Sequence, residues 1–176
     1  MPVARLLAGA FSMLAAMLTV APAAAEPTEQ IGEAPHIRQA VEAAIDPDTR
    51  RGVARLPRVT LDTTGDATVV LALRNEDDDP EATYAAALDD TLRVLRAVYH
   101  SADADRISSA TVVGTFNVIG ATGRARELPV LRAVLSAEHA AQLDWAALGP
   151  DEVPQLADVW WMHAGFHGRE AMVDGG

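Results

Sequence analysis

The segment from Asp79 to His100, DPEATYAAALDDTLRVLRAVYH, decides the fold. Asp79 stands at an N-cap, where a carboxylate accepts from orphan N–H groups. Pro80 follows at the first helical position with its φ already set, and Glu81 places negative charge at the positive end of the helix dipole. Tyr84, Leu88, Leu92, Leu95 and Tyr99 then recur at steps of three or four, so one long helix with a single apolar stripe is predicted over Pro80 to His100. Asp89 and Arg93, four apart on the other side, make a surface pair worth about 0.3 kcal/mol.

On both sides of this helix the pattern changes to that of strands. Before it, Arg58-Val-Thr-Leu-Asp62 alternates, and Thr68-Val-Val-Leu-Ala-Leu73 is almost wholly apolar, with Thr64-Gly65-Asp66 as the turn of a hairpin. After it, Ile107 to Ile119 reads as a long strand in which Gly114 marks a bulge or a close backbone approach. Gly120 to Gly123 with Arg124 to Arg126 turns the chain, and Leu128 to Leu135 returns. Hairpin, long helix and hairpin predict an α+β domain. Its economical form is a four-stranded antiparallel sheet in ββαββ order with one long helix packed on one face.

Further out, Ile37, Val41 and Ile45 recur every four residues and predict a short helix from His36 to Ile45, stopped by Asp46-Pro47-Asp48. Ser136 caps a helical turn through Ala137 to Leu143, and Gly149-Pro150 and Pro154 break up the run towards Val159-Trp160-Trp161. The expected organisation is a signal peptide over 1–25, an N-terminal lead with a short helix over 26–57, a single α+β domain over 58–166 and a C-terminal tail over 167–176.

The signal expectation rests on Arg5, on the apolar run Leu6 to Val20 and on Pro22 before the small residues Ala23-Ala24-Ala25. A run of that length is shorter than the roughly 20 residues a spanning helix needs. Cleavage near Glu26, and secretion or release into the cell envelope, is therefore the expectation. An uncleaved anchor is the alternative, and the only contact with membrane that the sequence suggests.

The chain has no cysteine, which excludes disulfides, thiolate catalysis and thiolate zinc sites. It has 25 acidic residues against 14 basic ones, a net charge of -11, which disfavours nucleic acid and anionic lipid as partners. Every basic residue is arginine, a balance that either a GC-rich coding bias or adaptation to high salt produces. The lack of lysine rules out Schiff-base chemistry.

Three stretches carry a resemblance: the strand Ala110-Thr-Val-Val-Gly-Thr-Phe116, the return strand Pro129-Val-Leu-Arg-Ala-Val-Leu135 with its Ser-initiated turn, and the closing run Ala157-Asp-Val-Trp-Trp-Met-His-Ala-Gly-Phe166. From about Arg58 to Phe166 the chain resembles a group of small exported bacterial domains of unknown function. The resemblance implies a layout and a location, and no activity.

Candidate sites are few, and no catalytic set is expected. His163 and His167 stand four apart with Glu170 three further on, a spacing that lets two imidazoles and a carboxylate take a divalent cation if the segment is helical. Gly165 between them weakens a helix, the H-E-x-x-H pattern is not met, and packed or surface histidines are the simpler reading. Glu76 to Asp79, Asp103 and Asp105 offer oxygen ligands without the order of a calcium loop, and capping accounts for the first group. Gly114, Gly120 and Gly123 do not space as a dinucleotide loop, and Ser101, Ser108 and Ser109 lack a nucleophile elbow, so no cofactor is expected. Trp160, Trp161 and Phe166, with Trp145 upstream, gather aromatic rings in a chain otherwise poor in them, either as a lid on the core or as a binding patch. The resulting expectation is a non-enzymatic exported domain that binds a protein or small-molecule partner. The alternative is a metal-binding protein or metal-dependent hydrolase built on His163, His167 and Glu170.

Overall fold

A computed structural model describes residues 32–45, 55–74, 76, 79–119 and 124–166. The signal segment, the stop at Asp46-Pro47-Asp48, the turn at Gly120 to Gly123 and the tail from His167 lie outside the described residues.

The long helix, α2 (Pro80–Tyr99), starts as its residues dictate: the Asp79 side chain accepts from the N–H groups of Glu81 at 2.9 Å and Ala82 at 3.1 Å. Leu88, Leu92 and Leu95 of its stripe are buried, and Tyr84 and Tyr99 pack against the same core. Each buried leucine contributes about 2 kcal/mol through area removed from water. A second helix, α1 (Pro35–Ala44), adds Ile37 and Val41 to that core, with Ile45 just beyond its end.

Among the described residues six strands form one sheet in sequential order: β1 (Gly32–Glu33), β2 (Arg58–Leu61), β3 (Asp66–Ala72), β4 (Ser109–Ile119), β5 (Ala125–Ser136) and β6 (Val159–Met162). The α+β class is as expected, but the four-stranded, all-antiparallel sheet is corrected in two ways. First, β3 and β4 are parallel, from Asp66 beside Ser109 to Ala72 beside Thr115. A 20-residue helix is about 30 Å long, enough to carry the chain back along the whole sheet, so the strand after it starts at the same end as the strand before it. The two hairpins therefore join through a β-α-β crossover. Second, the sheet is widened at both margins: β1 pairs antiparallel with β2, and β6 pairs antiparallel with β5.

The expected irregularity at Gly114 is present in both senses. The β4–β5 register shifts between Gly114 and Thr115, which pair with Leu131 and Pro129 and leave Val130 as the extra residue. At the same point a Cβ on Gly114 would lie 2.7 Å from Leu73 Cδ1. In the first hairpin Gly65 has φ +87, a left-handed conformation that glycine adopts without strain. The Ser136 hydroxyl accepts from His139 N–H at 3.4 Å and opens a short helix, α3 (Ala137–Ala140), shorter than the turn expected through Leu143. A last short helix, α4 (Val153–Leu156), buries Val153 and Leu156 under α2.

The two faces of the sheet differ. Val59, Leu61, Val69, Leu71, Val112, Leu131, Leu135 and Met162 point to the helices and are buried. The alternate residues are half-buried or exposed, except Thr115 and Val130 beside the bulge, which are buried.

Candidate functional site

The strand registers align the outer face into rows. One row runs Thr60, Thr68, Thr111, Val134, Val159 from β2 to β6, and the next runs Arg58, Val70, Val113, Arg132, Trp161. Three threonines side by side give way to valines, and both rows end on β6, whose outer residues Val159 and Trp161 are 49% and 45% exposed. β-Branched side chains suit a pleated surface, so the sequence that makes these strands also makes an outer face of methyl groups and hydroxyls.

The proposed aromatic patch is divided by the strand that carries it. Trp161 stands on the outer face, whereas Trp160, one residue earlier, turns to the helix side and packs against the core. Trp145 lies elsewhere, 6.0 Å from the Tyr99 ring and 5.8 Å from the His100 ring, and its carbonyl accepts from Arg96 Nη2. Phe166 ends the 3-10 turn Ala164–Phe166, and its ring is outside the described side chains.

Of the proposed metal ligands, His163 follows β6 directly. Its N–H donates to the Val130 carbonyl at 2.8 Å, and its ring Nδ1 accepts from Gly165 N–H at 3.2 Å. His167 and Glu170 lie outside the described residues. Among the described residues no group of three histidines and acids is placed to hold a metal ion. His139 is hydrogen-bonded through Nδ1 to Asp158 at 3.1 Å, and His100 through Nδ1 to the Arg96 carbonyl at 2.8 Å. Asp103 pairs with His36 and Arg106, each at 3.2 Å.

Three polar clusters were not singled out by sequence. At the end of β3, Arg55 and Arg74 converge on Asp90 of α2. Arg55 Nη2 reaches Asp90 Oδ2 at 2.5 Å, Arg74 Nη2 reaches Oδ1 at 3.3 Å, and Arg55 Nε donates to the Ala72 carbonyl at 2.8 Å. Burial pushes the Asp90 carboxyl above its ordinary value, against the pull of Arg55 and then Arg74. The expected pair Asp89 and Arg93 is formed at 3.0 Å, and Asp89 also receives Arg74 at 3.1 Å. The signal for the buried member was present: Asp90 falls between Ala87 and Val94, on the buried side of the helix.

On the outer face, Glu127 accepts from Arg58 Nη2 at 3.0 Å and from the Thr115 hydroxyl at 2.8 Å. The hydrogen bond from Arg58, and then that from Thr115, holds its carboxyl below the usual range. At the opposite end of the sheet, Asp158 accepts from Ser136 N–H at 2.6 Å and from His139. The Ser136 N–H, the Ser136 hydroxyl and His139 outweigh desolvation and lower its pKa. These residues resemble a serine triad in type, but not in arrangement. The hydroxyl of Ser136 receives the backbone N–H of His139 instead of standing at the free imidazole nitrogen. The cluster ties the start of α3 to the start of β6.

The outer rows and the exposed margin of β6 can present threonine hydroxyls, valine methyls and the Trp161 ring to one flat partner. Compared with family models, with curated proteins and with solved structures, the chain shows no match.

Proposed function

We propose that this chain is an exported, non-enzymatic domain that binds a partner through the outer face of its sheet at the β6 margin. Export rests on the pattern of Met1 to Ala25. The single observation that supports the binding reading is the exposure of Val159 and Trp161 together on an edge strand, continuous with Val134 in one outer row and with Arg132 in the next. An exposed aromatic ring beside branched aliphatic side chains anchors partners at small energetic cost, because tryptophan has few rotatable bonds to order.

The test is photo-crosslinking in the producing cells, with a benzophenone side chain at Val159 and, as a control, at Glu42 on α1. A discrete adduct from position 159 and none from position 42 is expected. No adduct from position 159 overturns the reading. Calorimetric titration with zinc and with calcium addresses the metal alternative. Tight stoichiometric binding that is lost in a His163→Ala, His167→Ala double variant would replace the binding reading with a metal site and call for a hydrolase assay.

A further inference from the structure

We infer that the partner at the β6 margin is a second copy of this chain, paired strand to strand about a two-fold axis at Trp161. The inference rests on the binding reading above and names its occupant.

Backbone geometry sets the register. The His163 N–H donates to the Val130 carbonyl, which makes His163 a hydrogen-bonded partner of β5. Hydrogen-bonded positions alternate along an antiparallel ladder, so Trp161 beside Arg132 and Val159 beside Val134 also direct their backbone groups to β5. Trp160 and Met162 therefore direct N–H and C=O outward, to the margin that no other described strand occupies. A two-fold axis at Trp161 sets Trp160 of each copy opposite Met162 of the other, so that each exchanges both backbone bonds with its opposite number. Any shift by a single residue would oppose inward-pointing to outward-pointing groups.

The side chains suit the same register. On the outer face Trp161 meets Trp161 of the second copy at a pair without hydrogen bonds, where the Cα atoms approach to about 4.5 Å and side chains are closest. Val159 lies opposite His163 of the second copy. On the helix side Trp160 lies opposite Met162, two large apolar residues.

Charge favours this margin over the rest of the surface. Each chain carries -11, so two copies repel wherever acids face one another. Val159 to Met162 contains no charge, and it lacks the lysine, proline or bulge with which edge strands commonly avoid self-pairing. The nearest charged residues are Arg132, beside Trp161, and Asp158, which in this register falls opposite Ala164 of the second copy rather than another acid. A contact of four residues per copy is small beside the roughly 1,600 Å² of a standard interface, so the dimer is reversible. Added salt strengthens it by screening the net charge.

The cysteine-free sequence makes the test direct. In the full chain as the cells process it, the double variant Val159→Cys, His163→Cys is oxidised mildly beside each single variant and Glu42→Cys, with Trp161 left in place. Disulfide-linked dimer from the double variant is expected to exceed that from the other three by roughly tenfold, because position 159 of one copy lies opposite position 163 of the other and only Cα atoms within about 4.4–6.8 Å can be bridged without distortion. Sedimentation of the unaltered protein, which needs no variant to fold, is expected to show mass rising towards twice the monomer with concentration and with salt. A flat crosslinking profile, or a monomer at every concentration, overturns the dimer. A monomer that still gives a photo-adduct of some other mass at position 159 overturns the dimer alone and leaves the binding reading standing.

Discussion

Arg55 and Asp90 meet where water reaches neither: the guanidinium and carboxylate are 0% and 1% exposed, with Nη2 2.5 Å from Oδ2. The pair joins the chain just ahead of β2 to the middle of α2, and Arg74 joins the end of β3 to the same carboxylate. Two cations around one buried anion would be costly alone. Asp89 and Glu76, beside Arg74, share its charge at 3.1 and 4.0 Å. Burial of a balanced group in this way holds helix and sheet in one relative position, because each charge is stable only with its partners in place.

Asp90→Ala is expected to lose about 3–5 kcal/mol, since it leaves Arg55 buried and unpaired. Arg55→Met combined with Asp90→Leu is expected to recover most of that loss. The test is a urea titration of the single and double variants. Equal losses in both would show that packing around the pair, not its charge, carries the energy.

How much of this was legible differs by element. The start of α2 could be read because three local rules agree at Asp79, Pro80 and Glu81. The Leu88, Leu92, Leu95 stripe could be read because its period depends on neighbours along one chain. The parallel β3–β4 pairing follows from the length of α2, whereas the turn signals inside each hairpin are local and say nothing of how the two hairpins join. Strand β1 is two residues long and has no period to detect. Strand β6 is apolar on both faces, so Trp160 and Trp161 read as one aromatic group, although a strand must send them to opposite sides. The contacts of Asp158 with Ser136 and His139 cross about 20 positions and depend on where β6 docks, which no local pattern encodes.

Gly114 lies where β4 crosses the side chain of Leu73. Its missing Cβ would meet Leu73 Cδ1, Cδ2 and Cγ at 2.7, 2.9 and 2.9 Å, and Leu73 is itself buried. Gly114→Ala is therefore expected to cost about 1–3 kcal/mol by overpacking. Leu73→Ala alone costs about 2–5 kcal/mol through the cavity it leaves. Together the two changes are expected to cost clearly less than their sum, because the added methyl enters the space the leucine vacates. Additive losses in a double-mutant cycle would contradict the contact.

Asp158 makes a pH prediction with a definite sign. Its native pKa lies below the ordinary 3.8, chiefly because it accepts the Ser136 N–H. The native state thus holds the carboxyl proton less tightly than the unfolded chain does. The resulting stabilisation is complete above the ordinary value and disappears as pH falls through the depressed native value. Asp158→Asn is expected to reduce the steepness of the stability loss between about pH 4 and pH 2. Denaturant unfolding at a series of pH values measures this slope, and parallel curves for the two proteins would count against the Ser136 bond.

Trp160 and Trp161, adjacent in sequence, are expected to respond oppositely to truncation. Trp160 packs against the buried cluster, so Trp160→Ala should cost about 2–3 kcal/mol, somewhat less than a fully buried tryptophan. Trp161 is 45% exposed on the outer face, so Trp161→Ala should change stability by no more than about 0.5 kcal/mol. If the outer face is a binding surface, the second substitution removes association and the first removes stability. A core lid made by both rings would give two comparable losses of stability and leave association to follow folding. Equilibrium unfolding of each variant, read beside its sedimentation at matched concentration, separates these cases. It does so because the alternation of a strand, and not distance along the chain, assigns each ring its surroundings.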